Sequence, residues 1–194
     1  MIRNLAAPVA LLLLAAAPVA AQSFSDFERF CIATDGQLEA VQAAAEEAGW
    51  RALPASMLAE PRGEDEEKIH AAYNATGDAA GFLLIGQGPP PLDLDDGVMI
   101  QTCGMMTETV DGESAAARLK SMLSIGDSIE HEIDTGLWLF SKSGSGFRDE
   151  RALLEPGADV VAAARQRDLR IVGSGGEDGL VMLLYGRLVP ESAE

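Results

Sequence analysis

The chain predicts a single α+β domain of about six mostly antiparallel strands, with helices packed on one face. Three observations predict this. Short apolar runs of strand length, such as Phe82-Leu83-Leu84-Ile85, are bounded by glycines. Between them lie segments whose apolar residues recur every three or four positions, the spacing of a helix with one buried face. No internal repeat and no domain-breaking linker divides the sequence, so one layered domain accounts for it.

Residues 1–21 read as an export signal. Arg3 supplies the charge, Leu5 to Ala17 the apolar segment, and Val19-Ala20-Ala21 the small residues that signal peptidase needs. The apolar segment falls short of the roughly 20 residues of a membrane-spanning helix. No cysteine follows it directly to carry a lipid anchor. The expectation is a mature chain from Gln22, periplasmic or secreted, with one domain over 22–189 and a tail over 190–194.

The next stretch holds two helices. Ser25 and Glu28 fit a capping box, with Phe27, Phe30, Cys31 and Thr34 on one face. Thr34 and Gln37 repeat the cap signal before Leu38, Val41, Ala45 and Ala48. Gly49 suits the left-handed closing position, which folds Trp50 back on Ala45. The acidic run Glu64 to Glu67 predicts the start of another helix, reaching Tyr73 with Ile69, Ala72 and Tyr73 inward.

Strands are expected at Phe82–Ile85 and at Val98–Met106, joined by a proline-stiffened loop from Gly86 to Gly97. Asp111 should cap a helix running to Ser124, which Gly126 closes. Ile129–Ile133 and Leu137–Ser141 predict a hairpin turning at Asp134-Thr135-Gly136. A helix over Gly157–Arg167 precedes strands Leu169–Val172 and Leu180–Leu188, with Gly173 to Gly179 as their loop.

Two cysteines in an oxidising compartment predict one disulfide, Cys31 to Cys103. The spacing holds no Cys-x-x-Cys redox pair. The formal net charge is −17. That balance repels phosphates and anionic lipid, so nucleic acid and membrane surfaces are disfavoured as partners. It would attract a cationic partner, and it also keeps a protein soluble.

Candidate sites are few. Asp93-Leu94-Asp95-Asp96-Gly97 resembles the start of a calcium loop, yet glycine stands where a third ligand belongs and no closing glutamate follows. Asp134-Thr135-Gly136 resembles the catalytic loop of aspartic (retropepsin-like) proteases, and Ile171-Val172-Gly173 their second element. That chemistry needs two carboxylates sharing a proton, hence a dimer of this chain. Gly126-Asp127-Ser128 resembles the nucleophile block of GDSL-type esterases, but it follows a helix rather than a strand. His131 reads as a partly buried ring between Ile129 and Ile133, and His70 as an exposed helix residue; together they make no zinc site. Arg165, Arg167 and Arg170 read as a solvated helix end.

The layout Phe30-Cys31, Gly49-Trp50 and Cys103 resembles that of small exported bacterial proteins of unknown function, over most of the mature chain. The resemblance implies no activity. The expected function is an exported, non-enzymatic binding or accessory protein of the bacterial envelope, without cofactor, metal or catalytic residues. The alternatives are an inhibitor that sequesters a cationic enzyme, and a hydrolase using Asp134 or Ser128. Partner identity and oligomeric state are not written in the sequence.

Overall fold

In a computed structural model, the apolar runs become one sheet of eight antiparallel strands. The structure describes residues 19–58, 68–75, 81–90, 92, 94, 97–108, 110–124, 126–129, 134–144, 146–177 and 179–191. The strands are β1 (Arg51–Ala52), β2 (Lys68–Asn74), β3 (Phe82–Gly88), β4 (Val98–Thr107), β5 (Asp134–Ser143), β6 (Gly146–Asp149), β7 (Leu169–Glu177) and β8 (Leu180–Pro190). Their order is β1-β2-β3-β4-β8-β7-β5-β6. The α+β single domain is therefore observed, with eight strands among the described residues instead of six.

Helices α1 (Val19–Phe27), α2 (Leu38–Glu47), α3 (Gly112–Leu123) and α4 (Val160–Gln166) do not share one face. Cys103 and Met105 of β4 enter the larger core with Phe24, Phe27, Val41 and Leu119 from the first three helices. Val98 and Ile100 of the same strand enter a second core, under Val160 and Ala163 of α4. Successive strand residues point to opposite faces. The sequence is apolar on both alternating sets, in β4 and again in Leu137–Phe140, so both faces need cover. One layer of helices does not suffice.

The first helix starts earlier than the Ser25 cap predicts, at or before Val19 among the described residues, and runs into a π-turn over Glu28–Ile32. The wider turn, closed by Ala33 N–H to Glu28 O at 2.9 Å, lets Phe27, Phe30 and Cys31 all bury completely. Thr34 donates back to the carbonyls of Phe30 and Cys31 and so does not cap α2. The end of α2 is as expected: Gly49 has φ +78° and Trp50 N–H donates to Ala45 O at 2.9 Å. Trp50 then packs edge-on against Phe30, 5.1 Å between centroids. The Cys31–Cys103 disulfide forms, Cα to Cα 5.4 Å, joining the π-turn to β4.

Three further expectations fail. The helix to Tyr73 is strand β2, where Ala72 and Tyr73 are both buried on opposite faces, a pattern of period two. Asp134-Thr135-Gly136 is not a hairpin turn but the start of β5, with Gly136 opposite Ser174 of β7. Gly173 to Glu177 is strand, not loop, so β7 and β8 meet in a tight hairpin. Gly173 belongs there because Leu137 lies across it, 2.9 Å from where a Cβ would stand. Smaller shifts follow: Ser124, at φ +52°, closes α3 in place of Gly126, while Asp111 caps it by accepting from Ser114 N–H at 2.9 Å.

Candidate functional site

Between α1's π-turn and α2 the chain reverses through Asp35 and Gly36, both left-handed at φ +57° and +65°. The geometry demands a residue without Cβ at 36, where Tyr185 would meet one at 3.3 Å. The turn drops the Asp35 carboxylate onto the sheet. There it accepts from Arg170 Nε (2.9 Å) and Nη2 (2.5 Å), Lys142 Nζ (2.6 Å) and the Tyr185 hydroxyl (2.6 Å). Burial alone would raise the Asp35 carboxyl, but these donors outweigh it and hold it well below the usual carboxylate range. Burial and the neighbouring Asp35 push the Tyr185 hydroxyl far up, keeping its proton on the donating oxygen.

Arg170 is thus no solvated helix end: it is 2% exposed, and it also donates to Leu169 O. Arg167 likewise turns inward, donating from Nη1 to Glu150 at 2.6 Å, and Ser141 supplies a second donor to that buried carboxylate. These two ion pairs are built from residues far apart in sequence, which is why charge spacing does not reveal them.

Beside the Asp35 turn lies a cleft of about 450 Å³. Its roof is the turn and the first residues of α2, Gly36 to Glu39; its floor is β2, β3, β4 and β8. Register explains the floor. Lys68, Gln87, Gln101, Arg187 and Arg170 are successive cross-strand partners over five strands, so they form one polar row on a single face. A bulge between Ile69 and Ala71 turns His70 into the same cleft. Leu38 and Ile85 provide the apolar part of the wall.

The polar groups here have spare capacity. Arg187 meets only the exposed Asp168, at 3.8 Å, among the described residues. Gln87 and Gln101 are half-buried, and among the described residues neither carboxamide is hydrogen-bonded to another side chain. Pairs of carboxamides with a guanidinium can recognise a ligand by donor and acceptor placement. The cleft's size is that of a small-molecule pocket.

The residues expected to tempt a catalytic reading are not in this cleft. Gly126 O accepts from Trp138 Nε1 at 3.2 Å, and Asp127 pairs with Lys120 at 2.5 Å, so Gly126-Asp127-Ser128 forms a structural link after α3. Asp134 lies in β5, opposite Gly175, at the far side of the sheet from β2. His131 and Asp93, Asp95 and Asp96 lie outside the described residues, as do residues 1–18 of the expected 1–21 signal and residues 192–194 of the expected 190–194 tail. Among the described residues no group of acidic, histidine or cysteine side chains gathers to hold a metal, and no helix is long and apolar enough to cross a membrane. The cleft itself escaped the sequence because its residues come from α2 and four strands. Only correct register would have brought them together.

Comparison of the chain with protein-family models, with curated proteins and with solved structures finds no match.

Proposed function

We propose that the protein is an exported, non-enzymatic envelope protein that binds a small molecule in the cleft beneath the Asp35–Glu39 turn. The observation that carries this is the polar row Gln87, Gln101 and Arg187, lying open on a rigid sheet with unspent hydrogen-bonding capacity. The Asp35 turn is fastened to the sheet twice, by the Cys31–Cys103 disulfide just before it and by the pair that Asp35 makes with Arg170 of β7, so the cleft is formed before a ligand arrives. Its lining offers amides, a guanidinium, an imidazole and the Glu39 carboxylate, a set suited to holding a ligand; among the described residues it offers no hydroxyl or thiol nucleophile. The disulfide supports an oxidising compartment.

The test is a thermal-shift screen of a diverse small-molecule set against the wild type and Leu38→Trp. Leu38 sits at the cleft rim, 36% exposed, so an indole there fills the cleft without entering the core. A ligand at about ten times its Kd adds about 1.4 kcal/mol, several degrees in a domain of this size. Compounds that raise the wild-type Tm should fail on the variant. If every stabilising compound acts equally on both, the cleft is not the binding site.

A further inference from the structure

The polar row carries a second message, about charge. The chain has 31 acidic against 14 basic residues, yet the five-strand row beneath the turn holds three cations, Lys68, Arg187 and Arg170, and no acid. Arg170 is neutralised by Asp35 at 2.5 Å, whereas Arg187 has only the distant, solvated Asp168. The guanidinium with spare charge is the one that lines the cleft, and Gln101 is its direct cross-strand partner.

We propose that the cleft takes a small monocarboxylate with a short apolar tail, the carboxylate on Arg187 and Gln101 and the tail against Leu38 and Ile85; this rests on the binding reading above. A planar carboxylate matches one guanidinium in two parallel hydrogen bonds, and the adjacent carboxamide adds a third donor. A single charge is selected because the acidic molecule repels each further negative charge, and Glu39 stands in the lining to oppose a dianion. The apolar wall disfavours an unadorned inorganic anion. The carboxylate can belong to a free short-chain acid or to the end of a peptide, and both present the same group.

The experiment is an amide NMR titration of the wild-type protein with hexanoate, N-acetyl-alanyl-alanine, neutral hexanamide and inorganic phosphate. At least one of the two carboxylates should shift the amides of Gly86, Gln87, Gln101 and Arg187, at least tenfold more tightly than hexanamide or phosphate; the stronger of the two tells a free acid from a chain end. Arg187→Gln should weaken that binding about tenfold with the melt unchanged, and Asp168→Asn, which frees Arg187 of its counter-charge, should tighten it a few-fold. If hexanamide binds as well as hexanoate, or phosphate binds best, the proposed ligand class is wrong while the cleft still binds. If no probe shifts these amides, the inference is overturned, and the screen with Leu38→Trp separately decides whether the cleft binds anything.

Discussion

At the scale of single residues, the Asp35 carboxylate ties a reversal of the chain to the sheet. It carries four polar contacts from three strands, while its partner Arg170 has almost no other route to solvent. Asp35→Asn would leave the buried guanidinium with only the exposed Asp168, 3.9 Å away, as counter-charge, at a cost of about 3 kcal/mol. The effect has a pH signature. Because the folded-state carboxyl titrates well below its unfolded value, the stabilisation is complete above the unfolded value of about 3.9 and is lost as pH falls below it. Urea unfolding should therefore show a wide gap between wild type and variant at pH 7 and a narrower one at pH 3. An equal gap at both would mean that the charge of Asp35 is not what stabilises.

At the scale of elements, the join between the π-turn and β4 is both covalent and apolar. The disulfide closes a sequence separation of 72 residues, and Phe27 and Phe30 pack beside it with no exposure. Cys103→Ser should lower stability by roughly 4 kcal/mol in the chain-entropy account. Free-thiol labelling of the unreduced native protein at both cysteines would contradict the bridge. This pairing was legible because only two cysteines exist. The end of α2 was legible because Gly49-Trp50 is a local signal. Strand β2 was not, because Lys68–Asn74 follows an acidic run that reads as a helix start, and pairing with β1 and β3 makes it extended. Asp134–Gly136 misled for the same reason: a turn-forming triplet was overridden by partners in β7.

At the scale of the whole molecule, alternation of apolar residues revealed that a sheet exists but not that both of its faces are covered. Val98 and Ile100 announce the second core only once Cys103 and Met105 are placed in the first. The candidate site was hidden more deeply. Lys68, Gln87, Gln101 and Arg187 are scattered polar residues until strand order aligns them. That order also dictates a strong prediction. The last strand, β8, sits between β4 and β7 and pairs with β4 along ten residues. A chain ending after Glu177 should lose cooperative unfolding altogether, because the sheet would divide into two unjoined halves. A sharp melt from that truncation would show that one half is a domain by itself.

The central place of β8 also governs when the protein can become itself. Synthesis runs from the N-terminus, so β4 and β7 each wait with one open edge until the strand between them is made. Closure requires contacts between segments far apart in sequence, which makes it slow and leaves it to the end. Until β8 is in place the two parts of the sheet stay unjoined, so the complete sheet is a late event in folding. The position of one strand thus sets the timing of folding.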